Sequence, residues 1–114
     1  AAIPPELIGP DDYSVLVISW GSNRNTAAEA LQKIGSKKLA LLHVPQLYPL
    51  HQSIGGYLDQ ADTTMVVENN AGGQFAELLW NQTGRRVDEK VLKYNGIPFS
   101  VEELQTEISQ RAGV

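Results

Sequence analysis

Three short runs, each apolar on both faces, decide what this chain can become. They are Val15-Leu16-Val17-Ile18 within Tyr13 to Trp20, then Leu39 to Val44, then Thr63 to Glu68. Strands of this kind must be covered on both sides, as central parallel strands are when helices flank the sheet. The segments between them supply those helices. Ala27, Ala30, Leu31 and Ile34 recur at helical spacing behind Thr26 and Glu29, which read as a capping box, and Gly35 closes the helix. Pro49 reads as the start of a second helix, with Leu50, Ile54, Tyr57, Leu58 and Ala61 on one face and Gly55-Gly56 weakening it. Gln74 to Thr83, stopped by Gly84, makes a third. Val91-Leu92 marks a shorter strand, and Ser100 with Glu103 caps a last helix carrying Val101, Leu104 and Ile108. A strand followed by a helix, four times over, calls for a three-layer α/β/α domain. Its sheet is expected to be mostly parallel, of four to five strands, with right-handed crossovers. Residues 1–12 are expected to be a linker or irregular N-terminal arm, and residues 13–114 the α/β domain. The opening Ile3-Pro4-Pro5-Glu6 reads as a cut at a linker in a longer chain.

Composition removes several classes of function. A chain of 114 residues at 42% hydrophobic content suits one domain with one core. The net charge is -4 and the nine Lys and Arg are scattered, so there is no basic face for nucleic acid. No stretch approaches the ~18 apolar residues of a membrane span, and no basic segment followed by an apolar one suggests secretion. With no cysteine, the chain cannot make disulfides, thiolate metal sites, cluster ligands or a cysteine nucleophile. A cytoplasmic location is the expectation.

The four strand exits, Gly21-Ser22-Asn23, Pro45-Gln46, Glu68-Asn69-Asn70 and Asn95-Gly96, should share the carboxyl edge of the sheet, where open α/β folds bind ligands or partners. Ser22, Asn23, Glu68, Asn69, Asn70 and Gln74 would form a polar rim there. Any one of them is also what a turn or a helix cap requires, but one cap does not need three adjacent polar groups, as at positions 68–70. Gly72-Gly73 ahead of a helix could present amides to an anion. Glu68 beside them would repel phosphate, and the glycines then read as permitting close packing against a neighbour. No dinucleotide fingerprint or phosphate loop occurs. His43 and His51 lack metal-ligand spacing; His43, in an apolar strand, reads as a core or edge residue, and His51 lies at a helix start. Ser22 follows Gly21, but the Gly-x-Ser-x-Gly spacing of a nucleophile elbow is absent. Asp11-Asp12 precedes the first strand, where a receiver domain would need it afterwards. Trp20 and Trp80 read as core or interface anchors.

Several segments together carry a resemblance. They are Ser19-Trp20-Gly21-Ser22, Leu47-Tyr48-Pro49-Leu50, Val67-Glu68-Asn69-Asn70-Ala71-Gly72-Gly73-Gln74, and Tyr94-Asn95-Gly96-Ile97-Pro98-Phe99 with Glu102-Glu103-Leu104. In order and spacing they resemble the C-terminal, transketolase-C-terminal-like domain of the alpha subunit of 2-oxoacid:ferredoxin oxidoreductases, particularly the 2-oxoglutarate type. The resemblance implies a share in an enzyme that oxidatively decarboxylates a 2-oxoacid with coenzyme A to an acyl-CoA and reduces ferredoxin. It implies thiamine diphosphate, Mg²⁺ and iron–sulfur clusters held by other domains, and none of these cofactors held by this one. The implied partners are the remaining alpha-subunit domains and the thiamine-binding beta subunit, with ferredoxin reached through the holoenzyme. The implied role is structural, in assembly, with no catalytic residue. The interface candidates are Gly21, Ser22, Glu68, Asn69, Asn70, Gly73, Gln74, Gly96 and Pro98. The alternative is a free-standing α/β module that binds a small anion or peptide at the same edge.

Overall fold

Alternate residues of each central strand feed two different cores, so the sheet is covered on both faces. In the computed structural model, which describes residues 2–69, 73–93 and 96–114, five strands and four α-helices follow one another along the chain. The strands are β1 (Glu6–Ile8), β2 (Val15–Trp20), β3 (Leu39–Val44), β4 (Thr63–Glu68) and β5 (Glu89–Leu92). The helices are α1 (Arg24–Ile34), α2 (Ile54–Gln60), α3 (Gln74–Thr83) and α4 (Val101–Ala112). The sheet order is β1-β3-β2-β4-β5, parallel throughout except for β1. Val15, Val17, Leu41, Met65 and Val67 pack with Ala27, Ala30, Leu104 and Ile108 of α1 and α4. On the opposite face Leu16, Ile18, Leu42 and Val66 pack with Ile54, Leu58, Phe75 and Leu79 of α2 and α3. Among the described residues no helix is long and apolar enough to cross a membrane.

The structure departs from the sequence reading at three places. Within the lead-in, Glu6–Ile8 is an antiparallel edge strand, with Leu7 opposite Leu42. It covers the outer edge of β3, whose amides and carbonyls would otherwise stay unpaired, and Leu7 and Ile8 lean on the two cores. The start of α1 lies ahead of Thr26. Gly21 adopts φ 66°, a 3-10 turn spans Gly21–Asn23, and the chain is helical from Arg24, so Thr26 is already inside the helix and makes no capping box with Glu29. The third departure is α2, which begins at Ile54, not at Pro49. His51 and Ser53 lock a turn first: His51 Nδ1 lies 2.8 Å from Ser53 Oγ and accepts the Ser53 amide at 3.1 Å. Local side-chain bonds of this kind compete with helix formation. At α4 the capping box is formed, with Glu103 N donating to Ser100 Oγ at 3.0 Å and Ser100 N to Glu103 Oε1 at 2.9 Å.

The two glycines of α2 are not equivalent. A Cβ on Gly56 would meet nothing within 4 Å, whereas one on Gly55 would lie 2.6 Å from Arg85 Nη1. That guanidinium also binds Asp59 at 2.6 and 2.7 Å. Gly56→Ala is therefore expected to raise stability by about 0.5–1 kcal/mol. Gly55→Ala gains the same helix propensity but displaces Arg85, so its melting temperature should lie below that of Gly56→Ala. Equal melting curves would mean that Arg85 does not rest on α2.

Candidate functional site

The order of the parallel strands, β3-β2-β4-β5, sends the chain from β2 outward to β3 and then back across to β4. The crevice of such a sheet opens where that direction reverses, outside the carboxyl ends of β2 and β4. Trp20, Gly21 and Ser22 leave β2 there, and Glu68 and Asn69 leave β4.

Glu68 is the most constrained group of this edge. It faces the α2/α3 side of the sheet and is only 2% exposed. Both carboxylate oxygens accept the amide of Phe75, at 3.0 and 3.1 Å, with a further contribution from the Gln74 amide. A carboxylate is thus seated on the first turn of α3, where the free amides and the helix dipole favour it. Burial pushes its pKa above the ordinary 4.5, against the lowering effect of those amides and of Lys90. The polar rim therefore loses Glu68 as a surface group: the side chain is a strut between β4 and α3. Gly73, directly before α3, takes φ 68°. A Cβ there would make only ordinary contacts, 3.7 Å to Lys90 and 3.8 Å to Leu92. Its glycine is demanded by the turn rather than by close packing.

A second internal pair lies on the other face. Ser19 and His43 are register partners in β2 and β3, and Ser19 Oγ shares a 3.0 Å hydrogen bond with His43 Nδ1. Both are buried, Ser19 completely, so the hydroxyl has no path to an outside electrophile. His43 is held below its usual pKa, by burial first and by Arg24 next, with Glu6 opposing. Arg24 is fastened to Glu6 through two 2.7 Å hydrogen bonds, which hold the Glu6 carboxyl below its usual range. The strand periodicity contained this pair: Ser19 continues Val15 and Val17, and His43 continues Leu39 and Leu41. Only the pairing of β2 with β3 makes them meet.

The remaining rim residues divide by exposure. Gly21, Ser22, Gln74, Gly96 and Pro98 are exposed and Asn69 is half-buried, whereas Asn23 is buried. Pro98 O accepts from Lys93 Nζ at 3.2 Å, which ties the loop after β5 to the end of its strand. Asn70, and Asn95 beside Gly96, lie outside the described residues. Of the rim, Glu68 and Gln74 line a pocket of about 190 Å³ together with Trp20, Leu47, Tyr48, Phe75 and Leu78. Tyr48, which sequence reasoning had only as part of a motif, is 74% exposed. A larger open groove of about 780 Å³ runs along α1 beside Ile8, Leu31 and Leu39, away from this edge. Among the described residues no three His, Cys, Asp or Glu gather as a metal site would need.

No family model matches the chain. It is 32% identical over 101 residues to subunit alpha of 2-oxoacid:ferredoxin oxidoreductase 1 of Aeropyrum pernix, an alignment covering 84% of this chain and 16% of that one. It is 30% identical to the alpha subunit of oxidoreductase 2 of the same organism, covering 82% and 15%. The alpha subunit from Saccharolobus solfataricus is 27% identical, covering 85% and 16%. The chain thus spans about one sixth of the length of these curated relatives. In fold it is similar to part of a 2-oxoglutarate:ferredoxin oxidoreductase from Magnetococcus marinus, solved with 2-oxoglutarate, coenzyme A and succinyl-CoA bound. The TM-score is 0.86 at 20% identity, over 95% of this chain and 19% of that one. The alpha chain of a probable 2-oxoacid ferredoxin oxidoreductase from Thermoplasma acidophilum gives a TM-score of 0.65 at 22% identity, over 97% and 98% of the two chains.

Proposed function

The chain is homologous to a portion of 2-oxoacid:ferredoxin oxidoreductase alpha subunits, and from that premise we propose that it is a non-catalytic assembly domain of such an enzyme, one acting on 2-oxoglutarate. In this reading the carboxyl edge packs against the remaining alpha-subunit domains and the thiamine-binding beta subunit. The holoenzyme turns the 2-oxoacid and coenzyme A into an acyl-CoA and reduces ferredoxin, with thiamine diphosphate, Mg²⁺ and iron–sulfur clusters held elsewhere.

One observation carries the structural role. The acid–base groups nearest the crevice are spent on the fold: Glu68 on the amides of α3, and His43 on Ser19. Proton transfer needs a group within hydrogen-bond reach of substrate; Glu68 is held on the Phe75 amide at the floor of a pocket smaller than small-molecule sites, and His43 is buried against Ser19. The same fact weighs against a module that binds a small anion. An anion at the start of α3 would have to displace the chain's own carboxylate from the Phe75 amide. What the edge offers instead is shape: exposed Tyr48 and Gln74 around a small pocket. The choice of 2-oxoglutarate is supported by the motif resemblance and by the fold likeness to an enzyme named for that substrate.

The experiment is to tag the protein in its own cells and identify what purifies with it. The expected partners are a thiamine-diphosphate-binding chain and a cluster-bearing chain, or domains of one long polypeptide. The complex should reduce ferredoxin with 2-oxoglutarate and coenzyme A, and the 114-residue chain alone should not. In the complex Gln74→Ala, at an exposed position, should weaken assembly without changing the melting of this chain. Purification without either kind of partner would remove the reading, and full assembly of the Gln74→Ala complex would remove this edge as the interface.

A further inference from the structure

Glu68 is a buried carboxylate that has amides but no cation. Both oxygens lean on the single amide of Phe75, with the Gln74 amide adding a smaller effect. An ionised carboxyl offers about four lone-pair sites, so the helix fills only the side that faces it. Among the described residues Glu68 forms no ion pair. Lys90 acts on it only through space. Carboxylates this deeply buried ordinarily have a cationic partner.

Three aromatic residues, Trp20, Tyr48 and Phe75, stand among the walls around it, with Leu47, Leu78 and Gln74. Trp20 and Phe75 lie with ring centroids 6.1 Å apart and planes inclined by 52°, and Tyr48 forms the outer wall. An aromatic face attracts a cation within about 6 Å of its centroid, more strongly once water is excluded. The chain makes such a contact elsewhere, with Arg86 Cζ 4.2 Å above the Trp80 ring. Among the described residues Trp20 has no cation of its own.

The wall is also held in place. Gln82 of α3 donates to Leu47 O at 3.1 Å and accepts the Leu50 amide at 3.1 Å. Gln46 Nε2 donates to Tyr48 O at 3.1 Å. Size then selects the occupant. At about 190 Å³ the pocket lies below the roughly 300–1,000 Å³ of small-molecule sites and suits the tip of one side chain.

We propose that this pocket receives a single lysine or arginine side chain from the protein surface packed on the carboxyl edge, with aromatic rings around the cation and Glu68 beneath it. The proposal rests on the reading that this edge is an assembly interface, and it names what crosses that interface. Charge complementarity commits it to a basic group: an acidic tip would meet Glu68, and an apolar one would leave the carboxylate buried without a partner.

The test places the photo-crosslinker p-benzoylphenylalanine at Tyr48, keeping an aromatic ring there, in the full protein in its own cells. The expected adduct is one peptide of a partnering chain or domain with a lysine or arginine beside the attachment point. Adding Glu68→Gln, which keeps an acceptor for the Phe75 amide but removes the charge, should lower the yield at least about tenfold, the equivalent of 1.4 kcal/mol. Replacing the mapped basic residue by methionine should do the same while leaving this chain unaltered, which separates lost docking from lost folding. No adduct, an adduct lacking a basic neighbour, or a yield unmoved by the methionine replacement would each overturn the pocket assignment. A basic neighbour in a protein unrelated to 2-oxoacid oxidation would uphold the pocket and overturn the function proposed above. An oxidoreductase peptide lacking one would do the reverse.

Discussion

Glu68→Ala is expected to be about 2–3 kcal/mol less stable than Glu68→Gln, because a buried amide that loses its acceptor costs roughly that much. Glutamine keeps an oxygen for the Phe75 amide, whereas alanine leaves that amide facing a void between β4 and α3. The comparison with wild type depends on pH. Burial lifts the folded pKa of Glu68 above the ordinary 4.5. As pH rises past about 4.5 the unfolded chain releases this proton while the folded one still holds it, so the native state loses stability until pH passes the folded pKa. Glutamine does not titrate. The stability of Glu68→Gln relative to wild type should therefore grow with pH from about 4.5 upward and then level off. His43 works in the opposite direction in both proteins. Its pKa is held below 6.5, so stability falls as pH drops from 6.5 towards the folded value. Urea unfolding of the three proteins across this range tests both statements. If the alanine and glutamine variants coincide, Glu68 does not cap α3, and a difference from wild type that ignores pH would mean the carboxyl is solvated.

Phe75→Ala is expected to cost about 3–5 kcal/mol, the range for deleting a buried aromatic ring. Against a total of about 5–15 kcal/mol for an ordinary domain this is a large fraction. The ring is 2% exposed, sits among the residues joining α3 to the sheet, and meets Trp20. Its amide survives the substitution, so the pH-dependent part of the Glu68 behaviour should persist in Phe75→Ala while the baseline falls. The Trp20 contact can be isolated by a cycle of Phe75→Leu with Trp20→Leu, with an expected coupling of about 0.5–1.5 kcal/mol. A loss below about 1 kcal/mol for Phe75→Ala would show that α3 is not packed on the sheet, since surface changes fall in that range. It would also remove the inner wall of the pocket.

Much of the architecture was legible because burial on both faces leaves a mark that needs no partner to read. The β3 and β4 spans, and α3 with its Gly84 stop, are written in local composition. So is the Ser100–Glu103 box. The misread boundaries share one cause. Thr26 and Pro49 are genuine start signals in isolation, but at both places the neighbouring turn is settled first, by Gly21 and by the His51–Ser53 bonds. Glu6–Ile8 carries no strand signal of its own, and its conformation comes from the open edge of β3.

The candidate site divides along the same line. Sequence alone determined that Glu68 and Asn69 end a buried strand next to a helix start, and that the four strand exits gather on one edge, because strand direction and periodicity are properties of each segment. Tertiary structure alone decided which polar groups face outward. Whether Glu68 looks at solvent or at the amides of α3 depends on where α3 docks. Whether Ser19 meets His43 depends on which strand lies beside β2. Tyr48 and Trp20 stand far apart in sequence, and become walls of one pocket only when the loop after β3 folds across the end of β2. A side chain's local pattern sets which face of its element it occupies, and only the packing of elements sets what that face meets.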